Sequence, residues 1–201
     1  MRSSSLALVL SVAFACGTAH AQQPTEGPPS EVLANALRMY QQERYQDARP
    51  LFAAVAAGNT PDALTNQQRG EFFLAKTLFH LTQYADSLAV FERITRRGSA
   101  HVYFDVTLQW LTQLHPRVGP RLEPTVITCV GRYDERALTA YDNPETREVL
   151  AVGRYLLGRA RYQQHRYSEA LRLLDRVPVT SRVSVQARQW AARARATVGP
   201  Q

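Results

Sequence analysis

The chain lacks nearly everything that marks a catalytic or metal centre. Only two of its 201 residues are cysteine. Cys16 lies in a stretch read below as a removable leader, which leaves Cys129 in the apolar run Val126-Ile127-Thr128-Cys129-Val130. A lone thiol forms no internal disulfide, and with no His/Asp constellation around it Cys129 is expected to be a buried structural residue. His80, His101, His115 and His165 are scattered, with no pair at i, i+4 and no cysteine beside them, so no metal site is expected. The phosphate-cradling patterns GxGxxG and GxxxxGK are absent, and so is the nucleophile elbow GxSxG. Asp134 and Glu135 are neighbours on the chain, so on a helix they diverge by about 100° and read as surface acids. No stretch alternates apolar and polar residues over a strand's length, so no sheet is expected. No later segment approaches the ~20 apolar residues that cross a bilayer. Lysine is nearly missing too: Lys76 is the only one among 24 Lys and Arg. These absences point away from an enzyme, with no catalytic residue, cofactor or metal expected.

What is present is an ordinary globular share of apolar residues, 45%, and a formal charge of +7. Residues 22–131 hold ten basic and ten acidic residues, whereas residues 132–201 hold thirteen Arg and seven acids. The surplus in the last third reads either as a solvated helical surface or as a face for an acidic partner or an anionic envelope surface. The arginines are not interleaved with exposed aromatics in a motif, so nucleic acid is not expected as a partner.

Arg2, the apolar run 6–15 and Ala19-His20-Ala21 have the order of a secretory signal peptide. Cleavage is expected after Ala21, which would place the chain in the periplasm or outside the cell. A rival reading lipidates Cys16, but Phe14 is bulky for a lipoprotein box. Residues 22–29 are rich in Pro and Gly and read as a flexible leader.

From residue 30 onward the pattern is helical and repeated. Units are expected at 30–58, 60–98, 99–141 and 143–178, with a capping helix over 181–197. In unit one Ala36, Tyr45, Ala48, Phe52 and Val55 carry the pattern. In unit two Ala75, Tyr84, Ser87, Phe91 and Ile94 occupy the same register. Unit four is clearest: Leu157-Gly158, Tyr162, Tyr167, Ala170, Leu174 and Val177. Gly158 and Ala170 are small where the two helices should cross. Ser30, Thr60-Pro61-Asp62 and Asn143-Pro144-Glu145 read as helix starts. Pro50 is assigned to the first turns of its helix, where a missing N–H costs little. Unit three is degenerate. A helix is expected over 101–114 with Val102, Val106, Trp110 and Leu114 near one face, and shorter helices over 123–130 and 134–140.

These residues resemble the tetratricopeptide repeat, whose pattern runs Leu-Gly, an aromatic, then Tyr-x-x-Ala with a large apolar residue four positions on. Ala48, Ser87 and Ala170 lie 39 and 83 residues apart, the second gap being close to twice 41 with the weak third unit between, so each step exceeds the usual period of about 34. The resemblance implies an all-α fold of antiparallel helical hairpins, stacked as a short right-handed solenoid. It also implies a concave groove lined by the first helix of each unit. Carried over by position, the groove takes Leu33, Leu37 and Tyr40 from unit one. Unit two adds Phe72, Lys76, Phe79 and His80, and unit four adds Tyr155, Arg159, Tyr162 and Gln163.

The expectation is a non-enzymatic envelope scaffold that binds a protein or peptide segment with an acidic feature, where outer-membrane association would be compatible. Lys76 and Arg159 would supply the cations. The competing view makes several of these aromatics core residues between helices. An enzyme built on such a superhelix would need a further catalytic domain, for which the chain leaves no room. A basic module that binds anionic polymer or lipid head groups is the other alternative.

Overall fold

The computed structural model describes residues 27–198, and within them the chain is all helical, with no strand. The expected signal peptide, its cleavage site and Cys16 lie outside the described residues. Nine α-helices follow one another: α1 Glu31–Gln41, α2 Tyr45–Ala56, α3 Leu64–His80, α4 Tyr84–Arg97, α5 Phe104–Leu114, α6 Glu123–Val130, α7 Arg147–Gln163, α8 Tyr167–Asp175 and α9 Ser184–Val198. Two 3-10 segments, Gly98–Ala100 and Glu135–Tyr141, interrupt the third unit.

Three hairpins, α1–α2, α3–α4 and α7–α8, are closed by one and the same turn. Glu43, Thr82 and His165 each take a left-handed backbone, with φ of 59°, 60° and 61°. Each has its N–H on the carbonyl three residues back, and the next residue's N–H reaches five back: Arg44 to Met39, Gln83 to Leu78 and Arg166 to Arg161. These bonds satisfy carbonyls that a helix end leaves unpaired. A tyrosine then opens the second helix each time.

Packing follows the small residues. Ala48, Ser87 and Ala170 are fully buried, and the Ser87 hydroxyl is satisfied by donating to the Ala75 carbonyl at 2.8 Å. A Cβ on Gly158 would stand 2.7 Å from Leu174 Cγ, so only hydrogen fits where α7 crosses α8. Between units, a Cβ on Gly70 would meet Val55 Cγ1 at 2.5 Å, which lets α3 press onto α2. Odd-numbered helices touch in turn, α1 with α3, α3 with α5, α5 with α7 and α7 with α9. They form one layer, with α2, α4, α6 and α8 behind. A main core runs from Phe72 to Ala194 and a smaller one joins α1 to α2 through Leu33, Ala36, Ala48, Phe52 and Val55. Phe73 and Leu74 pack against both and weld them together.

Several expected helix starts move. Ser30 caps α1 by accepting from Leu33 N. Thr60-Pro61-Asp62, however, precedes α3 by a turn. The Asp62 carboxylate is taken across units, accepting from Ser30 N at 2.9 Å, Ser30 Oγ at 2.6 Å and Thr60 Oγ1 at 2.7 Å. Asn143 likewise does not cap α7. Its Oδ1 accepts from the N–H groups of Glu145 and Thr146, closing a turn before the helix begins at Arg147. Pro50 is exposed in the second turn of α2, where the bond it cannot donate is the one to Gln46 O. The face expected for α5 holds only in part: Val102 and Val106 are about half exposed, Trp110 packs partly buried against the core, and Leu108 and Leu111 join the expected Leu114 inside it. Thr107 and Thr112 share that buried face because their hydroxyls bond back to the Tyr103 and Gln109 carbonyls.

Candidate functional site

The odd-numbered layer carries two side-chain clusters. The first centres on Lys76. Phe72 and Phe73 precede it on α3 by four and three residues, the spacing that puts helical neighbours side by side. Tyr40 reaches in from α1 and Trp110 from α5. The Lys76 Nζ lies 4.5 Å from the Phe73 ring centroid, 4.9 Å from Tyr40, 5.1 Å from Trp110 and 5.6 Å from Phe72. Rings from three consecutive odd-numbered helices thus converge on one ammonium. Their negative faces favour the cation, while burial acts the other way and lowers its pKa. Among the described residues Lys76 has no ion pair. His80 continues the ring surface, stacked on Tyr45 at 4.5 Å and edge-on to Tyr40 at 5.8 Å. Burial, and then the nearby Lys76 charge, lower the His80 pKa. Burial, with a smaller contribution from Tyr45, raises the Tyr40 pKa.

The second cluster centres on Arg159 of α7. Its Nη1 donates to Glu123 Oε1 at 2.6 Å and to the Tyr155 hydroxyl at 3.2 Å. The guanidinium lies 4.4 Å above the Trp190 ring of α9. His115 Nε2 stands 3.3 Å from the same Glu123 oxygen, and burial leads the lowering of its pKa. Tyr162 sits edge-on between Tyr167 at 5.1 Å and Trp190 at 5.2 Å.

The expected groove residues therefore divide. Leu33, Phe72, Phe79 and Tyr155 are buried and belong to the core. Leu37 is half-buried against the α1–α2 core. Tyr40, Lys76, Arg159 and Tyr162 are half-buried, and His80 and Gln163 are exposed. Tyr40, Phe72, Lys76, Phe79 and His80 come together in the first cluster, and Tyr155, Arg159 and Tyr162 in the second. Phe73, Tyr45, Trp110, Glu123, His115 and Trp190 also belong to these clusters and stand outside the expected groove. Phe73 stands next to Phe72 and was within reach of the same spacing argument. Trp110 stands in the degenerate third unit, whose missing motif gives no groove positions to carry over, and Trp190 stands on a helix expected to serve only as a cap.

A cleft lies elsewhere. About 580 Å³ opens beside the Glu135–Tyr141 segment, lined by Asp134, Arg136, Arg161, Arg166 and Glu169 among others. Most of its charges are already committed. Arg166 holds Glu169 at 2.7 Å, and Arg161 donates to the Tyr133 carbonyl at 2.7 Å and the Gly131 carbonyl at 3.1 Å. This makes it a seam that ties α6 and its loop to α7. A second ionic knot joins α3 to α4, where the buried Glu71 takes Arg93 and Arg97. His101 beside it is held down to about 4 by burial and by Arg97.

Among the described residues no three His, Cys, Asp or Glu side chains are placed to hold a metal ion. Cys129 is buried, and burial raises its thiol pKa. No helix among the described residues is long and apolar enough to cross a membrane. Compared with models of known protein families and with curated proteins, the chain matches none.

Proposed function

We propose that this chain is a non-enzymatic interaction scaffold of the bacterial cell envelope, of the tetratricopeptide kind. It would hold a segment of a partner protein against the face of its odd-numbered helices. The observation that carries the reading is the convergence of Tyr40, Phe72, Phe73 and Trp110 on Lys76. The half-buried rings of Tyr40, Phe73 and Trp110 offer apolar area at low entropic cost, and such side chains dominate the energetics of protein interfaces. Secretory features in residues 1–21 support a periplasmic or secreted location.

The arginine surplus of residues 132–201 favours a second reading, a basic module for anionic polymer or lipid head groups. Salt separates the two, because polyanion binding weakens steeply as counterions compete. Envelope extract, anionic vesicles and polyphosphate should be passed over the immobilised protein at rising salt. The scaffold reading expects a defined set of proteins to stay bound at about 0.5 M salt, where the Debye length is only a few Å. Retention of vesicles or polyphosphate alone, lost as salt rises, would favour the second reading.

A further inference from the structure

Lys76 and Arg159, the two cations expected in the groove, are not equivalent. Arg159 has its charge met inside the chain, by Glu123 at 2.6 Å and by the Trp190 ring. Lys76 has rings at 4.5–5.6 Å but, among the described residues, neither a carboxylate nor a hydrogen-bond acceptor. An ammonium carries three donors. Ring faces stabilise its charge without accepting strong hydrogen bonds, and the partly buried stem has given up some of its water. Glu43 acts on the neighbouring His80 but makes no ion pair with Lys76. The border of the amine is aromatic surface that is not fully covered: Tyr40, Phe73 and Trp110, with His80 exposed.

We propose that Lys76 is the anchor for a single carboxylate of the partner, carried by an Asp or Glu flanked by aromatic or long apolar side chains. Arg159, its charge already paired with Glu123 although its buried Nε has no hydrogen-bond partner among the described residues, takes no acid from the partner. The claim rests on the scaffold reading and narrows it to acidic–aromatic segments. A carboxylate arriving at Lys76 completes a charge-assisted pair where water is already reduced. Its apolar neighbours cover the surrounding rings.

Because Lys76 is the only lysine, reductive methylation with ¹³C-formaldehyde gives one side-chain signal while keeping the positive charge. Two blocked pentapeptides serve as probes, one with Glu between two Phe and one with Gln in its place. The Glu peptide should move the Lys76 signal in a saturable way and bind at least tenfold more tightly than the Gln peptide. Lys76→Met should erase that preference, and Arg159→Met should leave it. The proposal is overturned by equal affinity of the two peptides, by binding of neither, or by a preference that survives Lys76→Met. The methyl signal of the wild-type chain keeps the test decisive if Lys76→Met folds poorly. Each overturning result leaves the wider scaffold reading to be judged by capture and by crosslinking.

Discussion

Thr82 shows how one residue reports the architecture. Its φ of 60° is shared with Glu43 and His165 at the same place in three hairpins, yet a β-branched side chain tolerates the left-handed region poorly. Left-handed backbone costs an ordinary residue about 1–2 kcal/mol, and asparagine visits it more readily. Thr82→Asn should therefore stabilise the protein by about 1 kcal/mol, read as a higher midpoint in denaturant with an unchanged slope. A lower midpoint would mean that Thr82 has another role in the turn. None of this was legible in the sequence, because Glu, Thr and His share no turn signature. The tyrosine two residues later was the visible marker. Lys76 is the opposite case. Its rarity was plain from composition, but its lack of a partner appeared only with the fold, once Phe73, Tyr40 and Trp110 were placed around it.

At the scale of elements, the hairpins were readable and their edges were not. Buried positions repeat because each hairpin must present small residues at its crossing and large ones above and below it. Gly158 and Leu174 thus announced α7 and α8 from sequence alone. Gly158→Val tests that crossing. A Cβ there would already stand 2.7 Å from Leu174 Cγ, and overpacking a fitted joint costs about 1–3 kcal/mol. Thermal unfolding of the variant should begin earlier, and hydrogen exchange should speed up first in α7, α8 and α9. An unchanged melting curve would contradict the close crossing. Helix starts misled because Asp62 and Asn143 spend their side chains on other bonds, Asp62 across units and Asn143 within its own turn. Unit three misled because two threonines hide on the buried face of α5, each satisfied by a backbone carbonyl. Hydrophobic spacing cannot see such positions. Arg161 was equally opaque, one arginine among many, although it is buried and holds the carbonyls of Gly131 and Tyr133.

For the whole molecule, the central claim is that the layer of odd-numbered helices is the working face. Their side chains converge on Lys76 at one end and surround Arg159 further along, whereas the clefts of about 580 and 500 Å³ lie along seams of paired charge. A solenoid built from nearest-neighbour contacts offers such a face as a continuous surface. The most direct measurement is a map of photo-crosslinks to envelope proteins from four exposed positions. His80 and Gln163 end α3 and α7, while Ala89 and Ser168 lie on α4 and α8. The account predicts that discrete partners are captured from His80 and Gln163, with little from Ala89 or Ser168. Equal capture from all four positions, or capture mainly from Ala89 and Ser168, would contradict it.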